Sequence, residues 1–118
     1  MQFREVLLKF ERFKQDFKYL TSPGTVPSSL CNLGYNSPLE DLLISGNQLT
    51  GNLDLGWCNN LVFIDAQRNK FSGDLPDIKG YRSLHIVHLA YNNFNGTIPA
   101  SFTTESSLIT DLNMESNQ

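Results

Sequence analysis

The residues of this chain that could perform catalysis include two histidines, twelve scattered carboxylates and eleven serines. His88 and Asp65 stand at matching places in two similar stretches, which predicts a pair on neighbouring strands. A hydrolytic site would also need a nucleophile next to His88, and Ser45 belongs to a stretch that is not adjacent to it. The histidines and carboxylates also lack the spacing of metal ligands. The sequence therefore predicts no enzyme, no metal site and no cofactor.

The two cysteines, Cys31 and Cys58, allow one bridge within the chain. Each lies seven residues after a glycine, Gly24 and Gly51, so in a stack of similar coils one would lie above the other. A separation of about 5 Å between such sites suits a disulfide. The alternative is that both are free thiols that pack as small apolar groups.

The tripeptide Asn95-Gly96-Thr97 has the form of an N-glycosylation acceptor. The pattern around it also favours an asparagine, a glycine and a small residue, so the match can arise without any sugar. A glycan at Asn95 further requires that the chain be secreted. Both interpretations stay open on the sequence alone.

These residues lie within a pattern that repeats along the chain. Its units begin LEDLLISGNQLTGNL at Leu39, LVFIDAQRNKFSGDLP at Leu61 and LHIVHLAYNNFNGTIP at Leu84. The alternation of apolar residues predicts pairs that face a shared interior: Leu42 and Ile44, Ile64 and Ala66, Val87 and Leu89. The asparagines of the pattern are spaced by 22, 23 and 25 residues and predict a structural ladder at the corners of the coils: Asn47, Asn69, Asn92 and Asn117.

The units NQLTGNLDLGW, NKFSGDLPDI and NNFNGTIPASF resemble plant-type leucine-rich repeats, whose pattern is LxxLxLxxNxLxGxIPxxLxxL. The resemblance covers about residues 24–118 and extends to the ectodomain repeats of receptor-like proteins and kinases. It implies an α/β repeat solenoid, a right-handed leucine-rich-repeat coil with a parallel β-sheet on its concave face. We expect residues 23–118 to form about four repeats, of which the first is degenerate and the last incomplete.

Residues 1–22 are predicted to form an amphipathic helix. Its apolar residues recur at gaps of three and four, as on one stripe of a helix: Phe3, Val6, Leu7, Phe10, Phe13, Phe17 and Leu20. We expect this helix to be an N-terminal cap over the first repeat, since the ends of a solenoid need covering. The alternative is a basic helix that docks on a membrane surface or a partner.

The bulk composition excludes some partners and leaves the compartment open. A net charge of −3 and a pI near 5.2 argue against binding to nucleic acid. No apolar run approaches the roughly 18 residues of a membrane span. The first residues also lack the apolar core of a signal peptide. The chain is therefore expected to be intracellular if it is complete, and extracellular or at the cell surface if it belongs to a receptor-like protein.

Function is expected on the concave face, because the repeat pattern does not demand the residues that point away from the core. The predicted partner-binding residues are Leu43, Phe63, Asp65, Arg68, Ile86, His88 and Tyr91. Other positions predicted to point outward are Asp41, Ser45, Gln67, Ala90, Asp111, Asn113 and Glu115. Aromatic residues and arginine beside an apolar patch are typical of protein interfaces.

The favoured interpretation is a recognition module for a protein or peptide ligand, part of a receptor-like or secreted protein. The alternative is a small intracellular scaffold subunit. Such a subunit would dock into a larger assembly through its N-terminal helix and its open C-terminal repeat.

Overall fold

The computed structural model describes residues 7–9, 14–16, 24–26, 39–55, 58–78, 80–102 and 108–117. These residues form ten short β-strands and one 3₁₀ turn, Ala100–Phe102. The strands are β1 (Leu7–Lys9), β2 (Lys14–Asp16), β3 (Gly24–Thr25), β4 (Asp41–Leu43), β5 (Leu49–Gly51), β6 (Phe63–Asp65), β7 (Lys70–Gly73), β8 (Ile86–His88), β9 (Asn93–Phe94) and β10 (Asp111–Asn113).

The strands belong to two sheets, and successive turns of the chain contribute to each. The long sheet has the order β1-β2-β4-β6-β8-β10, and the lateral sheet has the order β3-β5-β7-β9. Every neighbouring pair is parallel except β1 with β2. The result is a β-solenoid of about three turns. The repeat fold predicted from the sequence is thus confirmed in its parallel stacking.

The core lies between the two sheets and is built from ladders of equivalent residues. The six inward residues predicted from the repeat pattern lie in or just after β4, β6 and β8, and all six are fully buried. From the lateral sheet, Leu49, Phe71 and Phe94 close the core, and the rings of Phe71 and Phe94 stack at 6.2 Å. Phe102 of the 3₁₀ turn is also buried.

The predicted N-terminal helix is wrong for the residues that are described. Residues 7–9 and 14–16 form an antiparallel strand pair, and β2 then pairs in parallel with β4. Helix propensity is a weak preference, and the open backbone edge of β4 offers hydrogen bonds that a helix would leave unused. The phenylalanines and valine that outlined the helical stripe also favour strands. The remainder of the segment lies outside the described residues.

In the described ranges, no helix has the length and apolar character needed to cross a membrane.

Candidate functional site

The long sheet directs one set of side chains away from the core, and we call this set the outer sheet face. It occupies the place of the predicted concave face and consists of Leu43, Phe63, Asp65, Ile86, His88, Asp111 and Asn113. The strand register sets Phe63 beside Ile86 and Asp65 beside His88. It sets Leu43 on the other side of Asp65. The face therefore has an apolar part, formed by Leu43, Phe63 and Ile86, next to a polar part, formed by Asp65, His88, Asp111 and Asn113.

His88 makes contacts across both of its neighbouring strands. Its imidazole meets the Phe63 ring edge-on, with 5.7 Å between centroids and 83° between planes. Its Nε2 lies 2.9 Å from Oδ2 of Asp111. The sequence predicted a pair between His88 and Asp65, and these two are indeed register partners. The hydrogen bond goes instead to Asp111, which sits diagonally across the next strand pair, a position also within reach on a sheet.

Asp65 is a half-buried carboxylate in the middle of the outer sheet face. Burial raises its pKa above the ordinary value, while the Gln67 backbone N–H and the nearby His88 act in the opposite direction. An acid whose pKa is raised by folding stabilises the fold when protonated, and this contribution is lost as the pH rises through the raised pKa. Burial thus disfavours the charged form of Asp65, although its Oδ1 accepts a hydrogen bond from the Gln67 N–H at 3.5 Å.

Arg68 and Tyr91 form a stacked pair just beyond the C-terminal ends of strands β6 and β8. The guanidinium carbon of Arg68 lies 4.5 Å from the centroid of the Tyr91 ring, which is the geometry of a cation–π contact. Both side chains are exposed, Tyr91 to 41%. The pair extends the outer sheet face with one cation and one large aromatic surface. The structure thus brings together two residues that the sequence predicted only as neighbours of the apolar patch.

The backbone of this pair is strained. The residue before each ladder asparagine adopts a left-handed conformation, with φ of 69° at Gly46, 59° at Arg68 and at Tyr91, and 56° at Ser116. For residues other than glycine this conformation costs about 1–2 kcal/mol. The turn requires the conformation, and glycine at position 46 is the residue that adopts it without strain. Arginine and tyrosine at this turn therefore cost the fold stability.

Two residues predicted to point outward are buried instead. Ala90 is 0% exposed because the chain already turns inward there, two residues before Asn92. Asp41 is 7% exposed, and its strand is covered at the edge by β2, whose Lys14 is its register partner. The usable surface therefore shifts toward β6, β8 and β10, away from the N-terminal edge of the sheet.

The ladder asparagines hold the turns that position this surface. The Asn69 side chain accepts a hydrogen bond from the Leu49 N–H at 3.1 Å and donates to the carbonyl oxygens of Ile44 and Ala66 at 2.9 and 3.1 Å. Asn92 and Asn117 repeat this arrangement one and two turns further on. Asn47 donates to the Ile44 carbonyl oxygen of its own turn. The amides of Asn69, Asn92 and Asn117 thus each tie two successive turns together at the end of the outer sheet face.

Cys58 is buried and disulfide-bonded. The other cysteine of the sequence, Cys31, lies outside the described residues, so the Cys31–Cys58 pairing stays a prediction. Cys58 lies behind the long sheet, away from the outer sheet face.

The described residues assemble no catalytic or metal-binding group. Ser45 follows β4 and His88 ends β8, and β6 runs between these strands. Among the described side chains, no three histidines, cysteines or carboxylates are placed to hold a metal ion. The outer sheet face offers a contact surface with an apolar Phe63–Ile86 patch and a His88–Asp111 hydrogen bond, and the stacked Arg68–Tyr91 pair lies beside it.

Comparison with known proteins agrees with this fold. A sequence model of the Leucine Rich Repeat family matches residues 83–104. The receptor-like protein kinase HAIKU2 of Arabidopsis thaliana is 40% identical over 92 residues, which are 76% of this chain and 9% of the kinase. Fold and matches together show a parallel β-solenoid that is similar to the leucine-rich repeats of plant receptor-like kinases and receptor-like proteins.

Two solved structures of Arabidopsis thaliana proteins show the same architecture. The receptor kinase HAESA, crystallised with the peptide hormone IDA and the co-receptor SERK1, superposes with a TM-score of 0.77 at 26% identity. That match covers 89% of this chain and 17% of HAESA. The BIR2 ectodomain superposes with a TM-score of 0.71 at 27% identity, over 81% of this chain and 50% of BIR2. This chain thus spans only part of each relative.

Proposed function

We propose that this chain is a non-enzymatic recognition module that binds a protein or an extended peptide on its outer sheet face. Phe63 and Ile86 would supply the apolar contact, and Arg68 and Tyr91 the anchoring pair. Asp65 and His88 would pair with polar groups of the ligand, and Leu43 would border the apolar patch. We further propose that the module works outside the cell, as part of a receptor-like protein.

The observation that carries the proposal is the placement of Arg68 and Tyr91. They stack at 4.5 Å in left-handed conformations that oppose folding, at the border of a patch containing Phe63 and Ile86. Residues that cost stability are typical of surfaces selected for binding. Arginine and tyrosine are also the residues most enriched at interface hot spots. Asp65, whose charged form is disfavoured by burial, lies on the same surface.

The similar proteins support the type of ligand. HAESA was crystallised with a peptide hormone and a co-receptor, and it shares the parallel solenoid with this chain. A row of parallel strands offers a series of equivalent side-chain positions, one step of about 4.8 Å per strand. An extended peptide that crosses the strands would place successive side chains on one of two rows. The rows are Phe63, Ile86 and Asp111, and Leu43, Asp65, His88 and Asn113.

Changing Phe63 and Tyr91 together to alanine is expected to weaken binding by at least about 30-fold, since hot-spot truncations cost about 2 kcal/mol or more. The ligand is a linear peptide selected against the full chain from a display library. The measurement is the dissociation constant of that peptide by titration calorimetry, for the wild type and the double variant.

The matched control is a double alanine variant of Lys70 and Asn93, two exposed residues of the lateral sheet. Its affinity should equal that of the wild type within about twofold, because its ΔΔG should stay within ~0.5 kcal/mol. A peptide whose affinity survives the Phe63 and Tyr91 changes but falls with Lys70 and Asn93 would contradict the proposed surface.

A second candidate contact surface is the apolar end of the described solenoid beside β9 and β10. Ile98 and Leu108 are exposed to 52% and 51%, and a cavity of about 190 Å³ lies between Leu75, Phe94, Ile98 and Met114. We expect the full chain to self-associate reversibly through this apolar end, so that its sedimentation coefficient rises with concentration. Ile98→Ser should reduce that rise without changing the circular dichroism spectrum. A concentration-independent monomer would rule this association out.

A further inference from the structure

The lateral sheet presents a face that differs in character from the outer sheet face. We call it the lateral face, and its outward residues are Gln48, Thr50, Lys70, Ser72, Asn93 and Asn95. None of these is apolar, and all but the half-buried Thr50 are exposed. A face without apolar or aromatic anchors is poorly suited to a protein partner. It is well suited to remain hydrated.

The glycosylation tripeptide lies on this lateral face, and its middle residue is explained by packing. A Cβ atom at Gly96 would overlap the Asp74 carboxylate and come within 3.1 Å of the Asp74 Cα. The stack of coils therefore requires glycine at position 96. Position 73 shows the same close approach to the side chain of the preceding coil, in that case Asn52.

The two outer residues of the tripeptide are not explained in this way. Asn95 precedes the repeat glycine, and the equivalent residues in the two preceding coils are Thr50 and Ser72. Thr97 follows that glycine, where the preceding coils have Asn52 and Asp74. The solenoid thus accepts different side chains at both positions. The combination of Asn95 with Thr97 is not a by-product of the repeat.

The side chains of Asn95 and Thr97 are free for a modification. Both are exposed, and Asn95 contributes to the fold through its backbone N–H, which donates to the Gly73 carbonyl oxygen at 3.0 Å. Within the part of the chain that the structure describes, the Asn95 amide has no hydrogen-bond partner. A substituent on Nδ2 would therefore project into solvent without breaking any described contact.

From this geometry we infer that Asn95 carries an N-linked oligosaccharide. In the transfer, the Asn95 Nδ2 attacks the anomeric carbon of a lipid-linked oligosaccharide diphosphate. The new C–N bond replaces the sugar C–O bond, the lipid diphosphate leaves with the electron pair, and the amide loses one proton. The glycan covers the lateral face and leaves the outer sheet face open. The inference concerns a different face from the binding proposal and requires only that the chain enter the secretory lumen.

The test is translation of the full chain, fused behind a cleavable leader, in the presence of microsomes. Only the protease-protected chain is analysed, by gel mobility before and after treatment with a peptide N-glycosidase. Wild type and Thr97→Ser should each show a single mobility shift that the glycosidase reverses. Asn95→Gln and Thr97→Ala should show none, and the site is then mapped by mass spectrometry of the released peptide.

Two results would overturn the inference. One is a protected wild-type chain with no shift, and the other is a shift that persists in Asn95→Gln. All of the variants alter exposed polar side chains, and Thr97→Ser, which keeps an acceptor tripeptide, controls for the effect of changing position 97. A glycosylated chain that fails to bind any selected peptide would leave this inference standing while the binding proposal fails.

Discussion

Replacing Asn69 with alanine is expected to lower the free energy of unfolding by about 1–3 kcal/mol, because the buried Leu49 N–H loses its partner. The Ile44 and Ala66 carbonyl oxygens keep hydrogen bonds from Asn47 and Asn92. The amide of Asn69 satisfies the Leu49 N–H and the Ile44 and Ala66 carbonyl oxygens, which belong to two successive turns. All of these contacts are buried. A small domain has a total stability of about 5–15 kcal/mol, so this loss should be readily measurable.

The measurement is the urea midpoint of the full chain, with Asn93→Ala and Asn117→Ala as comparisons. Asn93 is exposed, and its change should stay within about 0.5 kcal/mol. Asn117 makes the same kinds of hydrogen bond but is only half-buried. The loss of stability in Asn117→Ala should therefore lie between those in Asn69→Ala and Asn93→Ala. Equal midpoints for Asn69→Ala and Asn93→Ala would show that the ladder does not hold the turns together.

Replacing Phe71 with alanine is expected to destabilise the fold by about 3–5 kcal/mol through lost burial and the cavity left behind. Phe71 is 0% exposed, and its ring stacks on that of Phe94 with 6.2 Å between centroids. The stacked rings join the lateral strands β7 and β9 of two successive coils, so the cavity would form between these coils. Thermal unfolding followed by circular dichroism gives the change, and Phe71→Leu should show a smaller loss.

The matched control is Phe63→Ala, which makes the same change on the outer sheet face. Phe63 is half-buried and packs edge-on against His88, so its removal should cost about 1 kcal/mol. The two variants should therefore separate folding from recognition. Phe71→Ala should lose stability, whereas Phe63→Ala should lose affinity for the selected peptide. Equal losses of stability would mean that Phe63 belongs to the core and would weaken the binding proposal.

Much of the repeat architecture could be predicted from the sequence, because each coil uses the same contacts. The spacing of Asn47, Asn69 and Asn92 placed the corners, and the alternation around Ile64 and Val87 identified the buried pairs. Because the hydrogen bonds and the buried positions recur in each repeat of the sequence, they can be predicted from the repeat pattern. The N-terminal segment has no such repeat. Its apolar spacing favoured a helix, whereas β2 pairs with the free edge of β4.

The candidate site was predicted less completely than the fold. The sequence listed Phe63, Arg68, Ile86, His88 and Tyr91 as outward residues, but it contained no signal for their contacts. Asp111 became the partner of His88 through a diagonal relation between β8 and β10. Burial of Asp41 followed from the added strand β2.

The sequence by itself determined the coil, the corner asparagines and the separation of inward from outward positions, because these depend on spacing within one unit. Only the tertiary structure decided which outward residues contact one another. The Arg68–Tyr91 stack, the left-handed backbone beneath it and the desolvation of Asp65 all arise from contacts between different coils. Such contacts depend on register and side-chain direction, which a linear pattern does not specify.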